Sequence, residues 1–327
     1  MSPIIPVLIT SGSSQMAVSA IKCLNLSKLV QVYVVDGDIS CPGIHLADNY
    51  RIVKSFEQEH RIVEETIKIC QEENIPVVIP GLHPHIEIFS RNLEIFEKLG
   101  IQVIVSTYDA IMCTIDKLVA HRKLKDSIPF AKTYTYNQVC ECSSSIKYPI
   151  IMKPRNGCGS VNILYINSSR DFEYYTSKFT GKLDKYIFQE YIEGREFTVD
   201  ILCDKNGNCI STVPRVRTQI QNGVTYRGKT IDHQILKEIG HKLAKSIQFF
   251  GPINYQAIEE SHSKEVKIIE INPRISGTII LTAEAGVNMP LLAIKIALGL
   301  EIDTDELKFQ PETQIIRYWE ERFLFPS

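Results

Sequence analysis

The sequence predicts an α/β protein whose C-terminal part changes to α+β. In residues 1–106 short apolar strands alternate with helices, as in the strand Pro6–Ile9, which precedes a helix from about Gln15 to Leu26. This alternation is typical of a parallel sheet with helices on its faces. From residue 107 onward the predicted strands instead follow one another around tight turns, as at Gly194. We therefore predict one domain over 1–106 and a second over 107–327.

The remaining elements follow from apolar periodicity and from Gly, Pro and Ser boundaries. In the first domain they are strands at 30–35, 76–79 and 101–105 and helices at about 57–73 and 85–99, the last of which ends at Gly100. In the second domain the helices are at about 109–113, 117–125, 170–179 and 234–246, and the strands flank 156–160 and cover 186–202, 211–219, 251–258 and 266–271.

Composition and charge exclude several classes of protein. The formal net charge is −2 and there is no run of basic residues, which argues against a nucleic-acid partner. No apolar run approaches the 18 or so residues of a transmembrane helix, and the N-terminus lacks the basic start of a signal peptide. Nine cysteines without a C-x-x-C pair are read as reduced thiols. We expect a cytoplasmic protein without a membrane partner.

The first domain has features of a dinucleotide-binding domain, but its loop does not fit. The turn after the first strand reads S-G-S-S-Q-M rather than G-x-G-x-x-G, although Asp36 ends the second strand where a ribose-binding acid is found. His83 and His85 follow Gly81 at a strand end, where open α/β sheets bind ligands. They are read either as substrate contacts or as an exposed pair at a helix N-terminus. No third ligand accompanies them, so no metal site is assigned there.

A glycine-containing loop, Asn156–Ser160, lies between two predicted strands, and Lys153 precedes it. Glycines let backbone N–H groups approach phosphate oxygens, and the lysine can reach the same phosphates. A strand follows the loop, which excludes the helix start of a Walker loop. Lys117 lies in the first turn of a short helix after the capping residue Asp116, where a cation is unfavourable for the helix dipole and indicates a ligand. A plain tight turn is the alternative reading of the loop.

Two strands carry charged residues on one face. Glu196 and Asp200 share a face of the strand after Gly194, either as a wetted surface or, for Glu196, as a ribose ligand. Arg215 and Arg217 share a face of the strand 211–219. Two guanidiniums at this spacing suit a carboxylate or an acyl phosphate, and an exposed basic strand is the alternative.

The stretch Val266–Gly277 carries the most specific pattern. Strand alternation puts Glu270 and Asn272 on one face, with Arg274 just beyond the strand. If the strand 251–258 forms a hairpin with it, Gln256 lies opposite Glu270. Oxygen ligands beside a guanidinium suit Mg²⁺ that bridges nucleotide phosphates. The alternative is a strand with one polar face and a terminal Arg–Glu pair.

These motifs, in this order, resemble those of the ATP-grasp ligases. The segments QEYIEGREFTVDIL and IIEINPRISGTIILTAEAGVNMPLLAIKIALG resemble the ATP-grasp unit of the carbamoyl phosphate synthetase large subunit and of its stand-alone relatives, the carboxylate–amine ligases. The resemblance covers essentially the whole chain. It implies a Rossmann-like pre-ATP-grasp domain over 1–106 and an ATP-grasp domain over 107–327. The latter would consist of a mobile lid of hairpins and helices at about 127–190 and an antiparallel core.

The resemblance also implies a role for each matching residue. Gln256 departs from the acidic residue of many members, while carbamoyl phosphate synthetases have Gln there. The implied contacts are Lys117, Lys153, Asn156, Gly157, Gly159 and Ser160 with phosphates; Glu190, Tyr191 and Ile192 with adenine; Glu196 with ribose; Gln256, Glu270 and Asn272 with metal; and Arg274 with the transferred phosphate. Together with Arg274 and Lys153, the anion-binding pair Arg215 and Arg217 completes the expected catalytic set.

The implied activity is an ATP-dependent, ADP-forming carboxylate–amine ligase that makes an amide or peptide-like bond through an acyl phosphate. ATP is then a substrate, one or two Mg²⁺ or Mn²⁺ ions are the cofactors, and the partners are small carboxylates and amines. A homodimer is also expected, because this group often dimerises. Two alternatives remain: an enzyme that forms carboxyphosphate or carbamoyl phosphate, and a nucleotide-binding sensor without turnover.

Overall fold

The computed structural model describes residues 3–157, 159, 161–221 and 223–323, so the predicted phosphate ligand Ser160 lies outside the described residues. The first sheet is parallel, with strand order β3-β2-β1-β4-β5. Its strands are β1 (Ile5–Thr10), β2 (Val30–Asp36), β3 (Asn49–Ile52), β4 (Val77–Ile79) and β5 (Gln102–Val103). Its helices are α1 (Gln15–Asn25), α2 (Glu59–Glu72), α3 (His83–Arg91) and α4 (Leu93–Lys98).

Two short helices lead from this domain to a second sheet, which lies within the predicted lid segment 127–190. Its strand order is β6-β9-β7-β8, with antiparallel neighbours. The linking helices are α5 (Tyr108–Ile115) and α6 (Lys117–Leu124). The elements of the second sheet are β6 (Thr133–Tyr134), α7 (Tyr136–Glu141), β7 (Ile150–Pro154), β8 (Leu164–Ile166), α8 (Ser169–Lys178) and β9 (Tyr186–Glu190).

The third sheet is the antiparallel core, with strand order β14-β13-β10-β11-β12-β15. Its apolar face includes Phe197, Val199 and Ile201 and packs against the buried side of α9. Its elements are β10 (Gly194–Cys203), β11 (Cys209–Gln221), β12 (Val224–Thr230), α9 (Gln234–Ser246), β13 (Gly251–Glu260), β14 (Val266–Asn272), α10 (Ile279–Glu284), α11 (Met289–Leu298) and β15 (Gln314–Ile316). Within the described residues, every helix is too short or too polar to cross a bilayer.

The C-terminal helices α10 and α11 pack against α1 of the first domain, and their apolar residues belong to that domain's core. The Ser19 hydroxyl of α1 accepts a hydrogen bond from the Ile280 N–H at 3.2 Å, and the Asn288 side chain donates to the Cys23 carbonyl at 2.6 Å. The two predicted domains therefore share a hydrophobic core.

Three local expectations differ from the structure. The predicted helix 85–99 is two helices that meet at Asn92, whose side chain caps the Ile88 carbonyl. The strand Asn49–Ile52 was not predicted from the sequence. The strands on either side of Gly194 do not pair with each other, because β9 pairs with β6 and β7 whereas β10 pairs with β11 and β13. The turn at Gly194 is a crossing between two sheets rather than a hairpin.

Candidate active site

A cleft of about 1310 Å³ lies between the second sheet and the core sheet. Its walls come from β7 and β9 on one side and from β10, β13 and β14 on the other. The predicted nucleotide ligands that line it are Lys117, Lys153, Asn156, Gly157, Glu190, Tyr191, Ile192 and Glu196, and the predicted metal ligands that line it are Gln256 and Glu270. The fold thus brings together residues that are up to 153 positions apart in the chain (270 − 117).

Lys153 projects from β7 across the cleft towards the core. Its ammonium donates to Gln189 Oε1 at 2.8 Å and to the Ile269 carbonyl at 3.1 Å. The pKa of Lys153 is lowered to about 8, mainly because the ammonium is buried; Glu270 raises the pKa and Lys117 lowers it, both by less than burial does. A lysine with this pKa still carries its charge at neutral pH, so Lys153 gives the cleft a positive wall.

Lys117 faces the same space from the start of α6. The carboxylate of Asp116 caps this helix by accepting hydrogen bonds from the Leu118 and Val119 N–H groups, which confirms the predicted cap. The Lys117 ammonium lies 3.5 Å from Glu270 Oε1 and donates to the Gly157 carbonyl at 3.0 Å. It therefore connects the glycine loop with the polar face of β14.

The hairpin that was predicted to bring three oxygen-bearing side chains together is confirmed. β13 and β14 are antiparallel neighbours, and their register pairs Gln256 with Glu270 and Asn254 with Asn272. Arg274 Nη2 donates to Asn272 Oδ1 at 3.3 Å, so the guanidinium is adjacent to the row. We refer to Gln256, Glu270 and Asn272 as the oxygen row.

The oxygen row fits a Mg²⁺ ion that is shared with a nucleotide. Magnesium is bound in such sites by one or two carboxylates, with phosphates and waters completing the octahedron. The row supplies one carboxylate and two amide oxygens of this hard type. Within the described residues no group of three or more His, Cys, Asp or Glu side chains has metal-binding geometry. The residues present therefore suit a phosphate-completed ion better than an all-protein metal cage.

A second pocket of about 320 Å³ lies on the other side of the oxygen row. It shares Gln256, Glu270 and Arg217 with the large cleft, and Arg274 and Asn272 line it as well. The first domain supplies the opposite wall through Ser14, Gln15, Met16, Leu82 and His83. A small molecule in this pocket would lie next to the phosphate end of the cleft.

The two histidines of the first domain have different environments. His83 lines the second pocket, where burial and the nearby Arg274 lower its pKa to about 4, so its ring is neutral at pH 7. His85 is only 3% exposed, and its Nδ1 lies 2.8 Å from Thr10 Oγ1. The reading of both as an exposed pair is therefore wrong, and His85 belongs to the core.

The two arginines of β11 also have different environments. Arg217 lines both pockets, but its guanidinium is paired with Glu196 and donates to Thr225 Oγ1 at 3.0 Å. The predicted ribose ligand Glu196 is thus held by an arginine at the cleft wall.

Arg215 is only 1% exposed and is bound from several sides. Its guanidinium donates to Asp200 Oδ1 at 2.8 Å, to Ser276 Oγ at 2.9 Å and to Thr278 Oγ1 at 2.6 Å. Neither an exposed basic strand nor an open pair of guanidiniums describes it, because its charge is compensated by a buried carboxylate. Arg215 lies behind the loop that carries the wall of the second pocket.

The far end of the cleft is lined by the segment 190–192. The carboxylate of Glu190 accepts hydrogen bonds from the Lys132 N–H at 2.8 Å and from Lys267 Nζ at 3.2 Å. Its side chain therefore connects the chain before β6 with β14 next to the cleft. The ring of Tyr165 from β8 meets Tyr191 edge-on and covers this end.

Some residues of the site have no signal in the sequence. Gln189 was not predicted, because only the pairing of β7 with β9, in which Gln189 lies opposite Ile151, brings it within hydrogen-bond distance of Lys153. Gln15 and Met16 of the small pocket's wall were likewise not predicted, although they directly follow the loop 11–14 that was expected there. Arg155 also lines the cleft, and the only sequence signal for it was its position between Lys153 and the predicted loop.

Comparisons with known families agree with this architecture. A family model described as ATP-grasp in the biosynthetic pathway with Ter operon matches residues 182–321, which include Glu190, Glu196 and the whole oxygen row. The model of the PylC-like N-terminal domain matches residues 7–104. Residues 182–321 of this chain therefore match an ATP-grasp family. The fold class and the family expected from the sequence are thereby confirmed.

The curated relatives of this chain include carbamoyl phosphate synthase large chains and a D-alanine--D-alanine ligase. The carbamoyl phosphate synthase arginine-specific large chain of Bacillus subtilis is 22% identical over 270 residues, which are 79% of this chain and 26% of that one. The D-alanine--D-alanine ligase of Petrotoga mobilis is 25% identical over 193 residues, which are 54% of this chain and 63% of that one. The chain spans about a quarter of the length of the first of these relatives.

A solved structure shows that the ATP-grasp fold extends over nearly the whole chain. The biotin carboxylase domain of Hydrogenobacter thermophilus 2-oxoglutarate carboxylase, a dimer solved with MgADP, ADP and bicarbonate, superposes with a TM-score of 0.74. The match covers 94% of this chain and 73% of that one at 19% identity. At this identity the likeness concerns the fold.

Proposed function

We propose that this protein is an ATP-dependent, ADP-forming carboxylate–amine ligase that works through an acyl phosphate. One observation carries the proposal: two members of the oxygen row, Gln256 and Glu270, line both the large cleft and the small pocket. A nucleotide in the cleft and a small acid in the pocket would meet at these two residues. The family expected for such an arrangement agrees with the match to the ATP-grasp model.

The proposed reaction has two steps. A carboxylate oxygen attacks the γ-phosphorus of ATP, the bond to the β-phosphate oxygen breaks, and ADP leaves. An amine nitrogen then attacks the acyl carbon, phosphate departs, and the nitrogen loses a proton to give the amide. Catalysis of phosphoryl transfer rests mainly on positioning and on compensating negative charge.

The chain's own residues supply both requirements. Lys117 and Lys153 hold the phosphates, and Arg274 meets the transferred phosphoryl group at the entrance to the small pocket. Bound at the oxygen row, Mg²⁺ would supply charge neutralisation on the phosphate oxygens. Exclusion of water protects the acyl phosphate from hydrolysis, which is the role proposed for the lid over 127–190.

Further contacts are proposed for the rest of the nucleotide. The backbone of Glu190, Tyr191 and Ile192 would bind the base, Glu196 the ribose, and the loop residues Asn156, Gly157 and Gly159 the phosphates. Arg217 would orient Glu196, and Arg215 is reassigned from substrate binding to support of the pocket wall, given its buried pair with Asp200. A homodimer and a cytoplasmic location stay predictions.

A second candidate is activation of bicarbonate to carboxyphosphate or carbamoyl phosphate. The carbamoyl phosphate synthase relatives and the glutamine at position 256 favour it. The small pocket of about 320 Å³ is larger than bicarbonate needs, which favours an organic acid.

A coupled ADP-release assay distinguishes the candidates. The purified protein, ATP and Mg²⁺ are incubated with a panel of amino acids and other small carboxylates, with and without an amine, and separately with bicarbonate. We expect ADP release that requires both an acid and an amine. Release that requires only bicarbonate supports the second candidate, and nucleotide binding without any turnover contradicts both.

Nucleotide affinity should depend on pH through Lys153. Its pKa of about 8 means that the ammonium is charged below that pH and loses its charge above it. We expect the Kd for ADP, measured calorimetrically with the metal saturating, to rise about fivefold between pH 7 and pH 9, because a phosphate contact then lacks its positive partner.

Lys153→Arg is the matched control, since a guanidinium keeps its charge throughout this range. Its ADP affinity should change little between pH 7 and pH 9, whatever its absolute value. A wild-type affinity that is flat over the same range, or an equal decline in the arginine variant, would contradict the role given to Lys153.

A further inference from the structure

A charged pair joins the end of the lid strand β7 to the start of α6. Arg155 follows β7, and its Nη2 donates to Asp116 Oδ2 at 2.6 Å, while its Nε lies 3.1 and 3.2 Å from the two carboxylate oxygens. The Arg155 Nη1 donates to the Asp184 carbonyl at 3.1 Å. All three nitrogens of the guanidinium therefore have protein partners, although Arg155 lines the cleft.

The same place holds the backbone of Lys117. Its N–H donates to the Arg155 carbonyl at 3.1 Å, and its ammonium donates to the Gly157 carbonyl at 3.0 Å. The Arg155 N–H in turn donates to the Lys185 carbonyl at 2.9 Å. Arg155 thus contacts four residues, which are Asp116, Lys117, Asp184 and Lys185. Together with the Lys117–Gly157 bond, these contacts fix the position of Lys117 relative to the glycine loop.

This pair is built more firmly than an ordinary surface ion pair. The side chain of Asp116 is 16% exposed and that of Arg155 is 30% exposed, and a bidentate arginine–carboxylate contact is directional. Burial raises the pKa of Asp116, but the hydrogen bonds from Arg155 and from the N–H groups of α6 outweigh it and lower that pKa, so the carboxylate is ionised at neutral pH. The same carboxylate caps α6, so Arg155 orients the group that fixes the first turn of the Lys117 helix.

We propose that Arg155 is a positioning residue for nucleotide binding: through Asp116 and its own carbonyl it holds Lys117 at the phosphate end of the cleft. The inference rests on the proposed function for the identity of the ligand. It assigns Arg155 no contact with the nucleotide. In this proposal the contacts of Arg155 join the end of β7 to the start of α6. Closure of the lid would therefore move Lys117 into place at the same time.

The test compares Arg155→Gln with the wild-type chain in binding of MgADP by calorimetry. Glutamine keeps the stem of the side chain as far as Cδ and stays polar, but it is shorter than arginine, is uncharged and cannot form the paired contact. We expect about tenfold weaker ADP binding, because a misplaced phosphate contact loses an interaction on the order of one charge-assisted hydrogen bond. The thermal midpoint should stay within about 3 °C, since a single partly exposed pair contributes little to folding.

The combination with Lys117→Met shows whether Arg155 acts through Lys117. If it does, the double variant should bind ADP no more weakly than Lys117→Met alone. Arg155→Lys should regain part of the affinity, and Arg51→Gln is the matched control, because Arg51 also pairs with carboxylates (Glu72 and Glu73) but lies outside the cleft.

The outcomes separate this inference from the proposed function. If wild-type protein binds ADP and Arg155→Gln binds it equally well, the positioning role is wrong and the ligase proposal stands. Losses that add in the double variant would also overturn it, because Arg155 would then act independently of Lys117. A lowered thermal midpoint with unchanged affinity would mean a merely structural role. Absence of ADP binding by the wild-type chain would overturn both proposals.

Discussion

Glu270→Gln should reduce turnover about 1,000-fold while the chain stays folded. Glu270 is the one carboxylate of the oxygen row, and it also compensates the charge of Lys117 at 3.5 Å. Metal-assisted charge stabilisation contributes several kcal/mol to such reactions, and each 1.36 kcal/mol is a factor of ten in rate. The measurement is the rate of ADP release at saturating acid, amine and ATP, with Mg²⁺ varied. Glutamine is nearly isosteric, so the packing of β14 is preserved.

Glu265→Gln is the matched control for this substitution. It removes one carboxylate from the chain just before β14, but its side chain is 68% exposed and outside both pockets. We expect near wild-type turnover from it. A Glu270→Gln variant that keeps its activity would remove Glu270 from the phosphoryl-transfer site, and one that unfolds at room temperature would show that the residue is structural.

Arg215→Met should lower the free energy of unfolding by about 3–5 kcal/mol. The substitution leaves Asp200, which is 0% exposed, without its cationic partner, and an uncompensated buried charge costs about this much. The hydroxyls of Ser276 and Thr278 lose their bond to the guanidinium as well. Urea denaturation followed by circular dichroism gives the difference between the two chains.

Two further variants define the origin of this loss. Arg227→Met removes an exposed arginine from the neighbouring strand β12 and should leave the free energy of unfolding within about 0.5 kcal/mol. When Asp200→Asn is combined with Arg215→Met, neither position of the pair carries a charge, so part of the lost free energy of unfolding should return. A single variant as stable as the wild-type protein would show that the pair is not needed for folding.

The part of the site that the sequence predicts correctly depends on local geometry. Glu270 and Asn272 share a face because strand side chains alternate, and Gln256 faces Glu270 because a polar connection between two apolar strands forms a hairpin. The cap at Asp116 is local for the same reason. Each of these follows from a few neighbouring residues.

The surroundings of Arg215 could not be predicted in this way. Alternation gives the face of β11 on which it lies, but the groups that cover that face come from β10 and from the chain around 276–282. Which strand pairs with which is a property of the whole sheet. A buried ion pair and an open anion site therefore give the same local pattern of residues.

The two histidines show a similar limit. Residues two positions apart on a helix point about 200° away from each other, so His83 and His85 at the start of α3 cannot share an environment. His85 points to the core, where Phe56 and Phe89 pack around it, and His83 points to the small pocket. The sequence identifies the pair, whereas the direction of each ring follows from how α3 packs on its sheet.

The contact of α10 and α11 with α1 has a consequence for selectivity. The first turn of α1 forms one wall of the small pocket, and the loop before α10 forms another. The apolar contact between α1 and the helices α10 and α11 therefore holds both walls in place. Neither wall can shift without disrupting this apolar contact, since close-packed interiors resist small displacements. In the proposed ligase, this packing would fix the size of the pocket for the acid, so that selectivity between acids would change through substitution of the side chains that line it.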